Sequence, residues 1–548
     1  MKVALAQLNY TIGDFEANYI KMREAIEKAE QQKVDLIIFS ELSICGYSPL
    51  DLLHKANFVD KAIATIHRLA KQCTTISALV GAPSLPNHAK GKQLLNSAWL
   101  LQNGEARPVA HKTYLPSCNM LNEYRYFQPN TVFNVINFKG KRLAITIGED
   151  LWEDRPSKIP TLQNQMNSLS PIQKLAALKP DVIINIAAQP YAHNKTKPNR
   201  EFICNKAAQY NLPIYYINQT GANTQLIYEG ASMVIASNGE VVHQLKHFEE
   251  DIYIIDTNHS TQENNPNHPE EMELIHKALV LGVKDFFRKS NFKKALIGLS
   301  GGLDSALVAA ITVKALGADN VHGILMPSQY SSDHSITDAE DLAKNLGMSY
   351  ETIPIKEVFS EFTKTMSNSF AQSKEDVTEE NIQARMRGTI LMAYSNKFGH
   401  ILLNTSNKSE SAVGYGTLYG DMNGALSVIG DLYKTKAFDL ARYINMGKEL
   451  IPINTITKPP SAELSPGQMD SDSLPNYELL DTILFSHIEN LESAEKLISK
   501  GFDESIVNRV LNMVAQNEFK RFQAPPVLQI SSNSLGGYQI PLVSKKLI

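Results

Sequence analysis

Long apolar runs are missing from this sequence. Nowhere do about 18 consecutive apolar residues occur, which excludes a hydrophobic helix of membrane-spanning length. Cysteine is scarce, with four in 548 residues, and Cys45, Cys73, Cys118 and Cys204 stand far apart without a C-x-x-C pair. That spacing excludes a cysteine-based zinc cluster and supplies no disulfide framework, so buried or free thiols are expected. Neither sign of charge dominates. With 53 basic and 57 acidic residues the net charge is −4, which gives no general attraction to nucleic acid or to an anionic membrane. Internal repeats and extended low-complexity tracts are absent too. The opening Met1-Lys-Val-Ala-Leu-Ala-Gln-Leu-Asn9 reads as a strand rather than a leader, and a cytoplasmic protein is the expectation.

What is present is a globular composition, 43% hydrophobic and 20% charged, in a chain too long for one ordinary core. Residues 1–256 alternate strand-like runs (3–8, 36–39, 76–80, 143–147, 182–186 and 214–217) with helix-like stretches such as 17–29, an α/β pattern. Residues 257–271 are polar, with almost nothing to bury, and read as a linker. A second domain, 272–548, resumes with a helical pattern, and its strands alternate with helices as in a doubly wound parallel sheet.

Near the start of that second domain stands the most informative stretch, Lys294-Ala-Leu-Ile-Gly298-Leu299-Ser300-Gly301-Gly302-Leu303-Asp304-Ser305, followed by a helix-forming run. Two adjacent glycines let a backbone turn bring its N–H groups close to an anion, and the helix adds its positive N-terminal dipole. A polyphosphate is the natural guest. Ser300 and Ser305 add hydroxyl donors, while Asp304 makes sense with Mg²⁺ between it and the phosphates. No lysine follows the glycines, so this is not the G-x-x-x-x-G-K-[ST] loop. It resembles the loop of the ATP pyrophosphatases, the PP-loop of adenine nucleotide α-hydrolase-like folds, which cleave ATP to AMP and pyrophosphate while adenylating a substrate oxygen.

Further motifs follow in order: Glu380-Asn381 with Arg385 and Arg387, Asn404-Thr405 with Lys408 and Glu410, Tyr419-Gly420-Asp421, Asp431-Leu-Tyr-Lys434, Lys458-Pro-Pro-Ser-Ala-Glu463-Leu464 and Lys520-Arg-Phe. Singly, each reads as a solvated face. Together, from about Ile275 to Gly536, they resemble the ammonia-transferring domain of NAD⁺ synthetases. The resemblance implies that the carboxylate of nicotinic acid adenine dinucleotide attacks the α-phosphorus of ATP, pyrophosphate leaves, and ammonia displaces AMP. It implies that Gly298, Leu299, Ser300, Gly301, Gly302, Leu303, Asp304 and Ser305, with Thr405, bind ATP, and that Asp304 and Glu410 hold Mg²⁺. Asn381, Arg385, Glu410 and Lys520 are expected at the dinucleotide, Lys434 at phosphate charge, and Asp421 near the entering ammonia. A homo-oligomer, a dimer of synthetase domains or larger, is implied as well.

In the first domain, Phe39-Ser-Glu41, His111-Lys112, Asn122-Glu123-Tyr and Gly148-Glu149-Asp150-Leu-Trp152 resemble the segments of a nitrilase-like amidase, an α-β-β-α sandwich that feeds ammonia to the synthetase in glutamine-dependent NAD⁺ synthetases. That chemistry needs a glutamate base, a lysine for the tetrahedral oxyanion and a cysteine nucleophile. Glu41, Lys112 and the supporting Glu123 match. The nucleophile does not: where the family reads Cys-Glu-Asp, this chain has Gly148. Around the glutamine pocket, Cys118 stands six residues after Lys112 where a tyrosine is usual, Gln189 where a serine is usual, and Thr224-Gln225 where acidic residues are usual. Ammonia-dependent synthesis with a silent amidase-like domain is therefore expected. The alternatives are a glutamine-dependent enzyme, whose site is active through another nucleophile such as Cys45 or Cys118 or has had its cysteine engineered out, and a first domain serving as an assembly or docking module.

The loop chemistry generates a direct test. Turnover is expected to require ATP and Mg²⁺ and to release AMP and pyrophosphate, and Asp304→Ala is expected to slow that release by roughly 10²-fold or more. Steady-state product analysis checks it, and release of ADP and phosphate would rule the reading out.

Overall fold

In the strand Lys2–Gln7, Val3 and Leu5 pack into one apolar cluster while Ala4 and Ala6 pack into another. A pleated strand buried on both faces divides its side chains in this way. The same division recurs in Leu36–Ile38, where Leu36 and Ile38 join the first cluster and Ile37 the second. The computed structural model describes residues 1–86, 94–118, 121–152, 170–257, 269–371, 373–538 and 540–543. They fall into two units, Met1–Pro269 and Glu270–Ile548.

The first unit has two six-stranded sheets. One runs in the order Asp251–Asp256, Lys2–Gln7, Leu36–Ile38, Ser77–Ser84, Leu95–Gln102, Glu105–His111. The other runs Val241–Gln244, Met233–Ile235, Ile214–Asn218, Val182–Ala187, Lys141–Ile147, Val135–Phe138. Each has parallel pairs at its centre and antiparallel pairs outside them. Between the sheets lies a core of Val3, Leu5, Leu36 and Ile38 from one and Ile145, Ile147, Ile184 and Ile217 from the other. Helices Phe15–Gln31 and Ala56–Ala70 cover the outer face of the first sheet through Met22, Ile26, Ile66 and Leu69. Pro171–Ala177 and Thr196–Tyr210 cover the second through Ile172, Leu175, Ile203 and Ala207. The expected α-β-β-α sandwich is what forms.

The second unit carries a five-stranded, wholly parallel sheet in the order Ser349–Thr352, Val321–Leu325, Ala295–Gly298, Ile401–Asn404, Leu426–Ser427. Chain order reverses between Ala295–Gly298 and Ile401–Asn404, the switch point at which doubly wound sheets bind ligands. The Ser-Gly-Gly turn leaves the carboxyl end of Ala295–Gly298 and enters the helix Leu303–Leu316, whose residues 305–312 are all buried. A further helical layer, including Tyr477–Leu484 and Glu504–Gln516, has its own core of Leu480, Ile483, Leu484, Val507, Val510 and Val514.

Several boundaries differ from the sequence expectation. The strand expected at 76–80 runs Ser77–Ser84. The expected linker is trimmed at both ends: the Thr257 amide still donates to the Met1 carbonyl at 2.9 Å, and Glu271 opens the helix Glu271–Lys289. Residues 258–268 of that linker lie outside the described residues. Among the described residues no helix is long and apolar enough to cross a membrane.

Gly81 ties this framework to a candidate residue. A Cβ there would lie 2.3 Å from the Leu42 amide nitrogen and 2.5 Å from the Ser40 carbonyl, so only glycine lets the strand Ser77–Ser84 lie against the segment holding Glu41. Both obstacles are backbone and cannot swing aside. Gly81→Ala is expected to cost about 3 kcal/mol and to lower the melting temperature of the first unit by roughly 6 °C or more. Calorimetry of the full chain checks this, and an unchanged transition would contradict it.

Candidate active sites

In the first unit the strands deliver their residues at their carboxyl ends. Leu36–Ile38 leads to Glu41, Glu105–His111 to Lys112, Lys141–Ile147 to Gly148 and Val182–Ala187 to Ala188. Lys112 is fully buried, with its Nζ 2.8 Å from Glu41 Oε1, 3.1 Å from Glu123 and 2.6 Å from Glu149 Oε2. An ammonium has three N–H donors, and here three carboxylates face them.

The carboxylates are held in turn. Glu41 accepts from Asn96 Nδ2 at 2.7 Å and from the Ala188 amide at 3.2 Å, and Glu123 accepts from the Tyr47 hydroxyl at 2.6 Å. Asp150 accepts the amides of Thr113 and Tyr114 at 2.9 and 2.8 Å, which fixes the turn beside Lys112. Burial pushes the Glu41 carboxyl above its ordinary range against the pull of Lys112, and pushes Glu123 up to about 8 and Asp150 up to about 7. Burial works against the Lys112 ammonium, but Glu123, Glu149 and Glu41 outweigh it and hold it charged.

Gly148 ends its strand at φ +49 and opens the short 3₁₀ turn Gly148–Leu151. A Cβ at this position would come within 2.8 Å of Glu41 Oε2 and 3.0 Å of Lys112 Nζ. The structure therefore brings Glu41, Lys112, Glu123 and Gly148 together, as the sequence predicts. It adds Glu149, whose place at Lys112 the motif alone does not reveal. Cys45 is buried, with its thiol 3.5 Å from the Leu42 carbonyl and pushed up to about 12 by burial. The Cys118 side chain lies outside the described residues. Thr224 and Gln225 form the two-residue turn of the hairpin Thr220–Asn223/Leu226–Glu229, with Thr224 at φ +56, and Gln189 exchanges hydrogen bonds with Asn218.

In the second unit a cavity of about 730 Å³ lies at the sheet's switch point. Gly298, Leu299, Ser300, Gly302, Leu303, Asp304 and Ser305 line it, with Thr405, Glu410, Asp421, Asn381, Lys434 and Lys520. Gly301 is the turning point of the loop. It has φ +78, and a Cβ there would lie 2.1 Å from the Ser335 carbonyl. Ser300 and Ser305 brace the turn, their hydroxyls 3.1 Å apart and the Gly302 amide donating to Ser300 Oγ at 3.1 Å.

Lys434 Nζ reaches Asp304 Oδ2 at 2.5 Å and Glu410 Oε1 at 3.4 Å, a cation between two carboxylates at the mouth of the phosphate loop. Burial, with Asp304 adding to it, pushes Glu410 up to about 8 although Lys434 pulls it back. Burial acts against Lys434 as well, but Asp304 and Glu410 hold the ammonium above its ordinary value. Asp421, raised by burial, accepts the Thr417 amide at 2.6 Å, and Lys520 donates to the Gly414 and Gly416 carbonyls at 2.7 and 2.8 Å. Asn381 accepts from the Thr417 hydroxyl at 2.6 Å.

Arg385 departs from the expectation. It is exposed, its Nε donates to the Leu418 carbonyl at 3.2 Å, and it is not among the residues lining the cavity. Arg387, two residues on, does line the cavity. Its Nε donates to the Met326 carbonyl at 3.1 Å, and burial lowers its pKa to about 10. Helical geometry explains the difference, since residues two apart point about 200° apart around the axis. Lys458, Glu463 and Asp470 also line the cavity.

The pattern of the NAD synthase family matches residues 275–524, and that of the carbon-nitrogen hydrolases matches residues 2–264. A glutamine-dependent NAD(+) synthetase of Synechocystis is 41% identical, over 98% of each chain. Another, of Thermotoga maritima, is 37% identical over 100% of this chain and 99% of its own. Among solved structures, the glutamine-dependent NAD+ synthetase of Acinetobacter baumannii in complex with ADP superposes with a TM-score of 0.78 at 35% identity, covering 99% of this chain and 98% of that one.

The raised carboxyls of the first unit set a pH dependence. Glu123 is bound more weakly by protons in the unfolded chain (ordinary value 4.5) than in the fold (about 8), so its contribution to stability is complete below about pH 4.5 and is lost as pH rises toward 8. The melting temperature of the first unit is expected to fall between pH 5 and about 8.5. Glu123→Gln should flatten that fall, and calorimetry across the range reads both.

Proposed function

Because the chain belongs to the family of glutamine-dependent NAD(+) synthetases, ligases that form a C–N bond, we propose that it makes NAD⁺ from nicotinic acid adenine dinucleotide and ATP with ammonia as its nitrogen source, its amidase-like unit being silent. In the second unit the substrate carboxylate attacks the α-phosphorus of ATP, the bond to pyrophosphate breaks, and an acyl adenylate forms. Ammonia then attacks the acyl carbon, AMP leaves with its bonding pair, and the nitrogen gives up a proton. Asp421, a buried carboxyl in the cavity wall, is the group we assign to that proton.

Charge building on the leaving pyrophosphate needs preorganised donors. The Ser300–Ser305 turn, the N-terminus of the helix Leu303–Leu316 and the Lys434 ammonium meet that need. Mg²⁺ fits the residues present. Asp304 and Glu410 are hard oxygen donors beside a phosphate loop, the set expected of a cation that takes one or two carboxylates and completes its shell with phosphate and water. Lys434 already lies between them as a cation would. When bound, the metal would neutralise phosphate charge. On the dinucleotide side, Asn381, Lys520 and Arg387 are the polar groups we assign from the cavity wall, whereas Arg385 is assigned a contact outside it.

The observation that carries the nitrogen assignment is Gly148. A thioester route needs a sulfur that glycine lacks; a Cβ at this position would face only Glu41 Oε2 and Lys112 Nζ among its nearest groups, neither of which can replace that sulfur. Lys112 is paired with Glu41, Glu123 and Glu149, but pairing alone supplies no nucleophile. The relatives' names favour glutamine as the donor. Against that reading, the only described cysteine near the site, Cys45, is buried with a raised thiol pKa, the opposite of an activated nucleophile.

NAD⁺ synthesis is therefore expected with ammonium and not, at any useful rate, with glutamine. Gly148→Cys alone is expected to leave glutaminase activity absent, because the new thiol would stand beside Glu41 and Lys112 while the altered pocket residues Cys118 and Gln189 leave the substrate unpositioned. Glutaminase and synthesis assays with each nitrogen source check this. Strong glutaminase activity in Gly148→Cys, or glutamine-driven synthesis by the unaltered protein, would overturn the assignment.

A further inference from the structure

Four consecutive residues, Asn407 to Glu410, open the helix Lys408–Val413 and hold it to its surroundings. Asn407 donates to Asp304 Oδ1 at 3.3 Å and accepts the Glu410 amide at 2.9 Å. Ser409 Oγ accepts the Lys434 amide at 2.9 Å and donates to Asp481 at 2.5 Å. Glu410 reaches Lys434. Three of the four thus belong to the carboxylate and lysine cluster at the phosphate loop. Lys408 turns away from it.

The Lys408 side chain has no exposure to solvent and is not part of the cavity wall. Its Nζ lies 2.8 Å from Asp431 Oδ1, 2.8 Å from Ser531 Oγ and 2.9 Å from the Asn533 carbonyl, and it also pairs with Glu489. Each carboxylate then grips the same distant segment. Asp431 accepts the amides of Ile530 and Ser531, both at 2.8 Å, and Glu489 accepts the Asn533 amide at 3.0 Å. Ser531 lies 100 residues beyond Asp431 in the chain. A buried ammonium with two carboxylates is a poor way to add stability, since apolar residues of the same volume do as well or better. What it adds is a single register, because every donor and acceptor must be matched.

We infer that Lys408 is a positioning residue for the ATP site: its ammonium, held between Asp431, Glu489 and residues 531–533, fixes the helical turn that carries Asn407 and Glu410 against Asp304 and Lys434. The C-terminal segment 530–533 thereby becomes part of the site's support without lining it. The inference rests on the adenylation reading of the cavity, and the measurements below separate the two.

In the full-length protein, Mn²⁺ bound with ATP is titrated by electron paramagnetic resonance without any acceptor, beside kcat and the KM of each substrate. Lys408→Met is expected to weaken Mn²⁺ binding about 10-fold or more, as losing a support behind a metal-binding carboxylate does. It should lower kcat up to about 10²-fold, the effect of misplacing a group by about 1 Å, with the acceptor KM unchanged. Ser531→Ala, which removes one acceptor of the ammonium and leaves both charges paired, keeps the test open if Lys408→Met does not fold. It is expected to shift Mn²⁺ affinity and kcat in the same direction by a smaller factor. Wild-type Mn²⁺ affinity and kcat in a folded variant, with only the melting temperature lowered, would overturn the inference. ADP instead of AMP from the unaltered protein would fault the adenylation reading alone, since the Mn²⁺ and ATP titration does not depend on the reaction.

Discussion

A lysine ammonium withdrawn from water stays charged only if carboxylates surround it, and both units are built around that constraint. Lys112 has Glu41, Glu123 and Glu149, Lys434 has Asp304 and Glu410, and Lys408 has Asp431 and Glu489. In each case desolvation opposes the charge and the carboxylates restore it. Such clusters are expensive to break from one side, because removing one partner leaves the others buried without compensation. The backbone around them follows. Gly81 and Gly301 are glycines because a Cβ would strike the backbone that carries Glu41 in one unit and the Ser335 helix start in the other.

The architecture was legible in the sequence where periodicity and turn chemistry were strong. Val3–Leu5 and Leu36–Ile38 announce buried strands by their apolar runs, and the paired glycines of the phosphate loop announce a backbone that must turn. Asp304 is marked by the phosphate loop itself, whereas Glu410 and Lys434 are marked only by the family resemblance; the fold brings Lys434 to Asp304 from 130 residues away. What the sequence did not reveal is which side of a helix meets the cavity. Arg385 and Arg387 stand in one motif with the same chemistry, and only the rotation of the helix Val377–Phe398 separates the exposed one from the one in the cavity wall. Lys408 was invisible for a related reason, since its partners at 431, 489, 531 and 533 are scattered and polar, with no spacing to connect them.

Glu149 is hidden for a different cause: nothing in Gly148-Glu149-Asp150 tells which of the two adjoining carboxylates turns to Lys112. Yet Glu149 supplies the third charge on Lys112. The motif therefore holds two features that bear on the proposed silence: glycine at the nucleophile position, and a carboxylate, matching the Cys-Glu-Asp pattern, that pairs with Lys112.

These two features also explain why so much of an amidase site persists in a unit proposed to be silent. Glycine at 148 offers no reactive atom and sits without steric strain, since its positive φ is one that glycine adopts freely. Loss of Lys112 is another matter. It would leave Glu41, Glu123 and Glu149 facing one another, and loss of any one of Glu41, Glu123 or Glu149 would leave the ammonium without one of its carboxylate partners. Glu41 and Lys112 are therefore retained by packing electrostatics whether or not a reaction uses them, and their presence is weak support for catalysis. The proposed silence of this unit therefore rests on Gly148 and not on the matched residues around it.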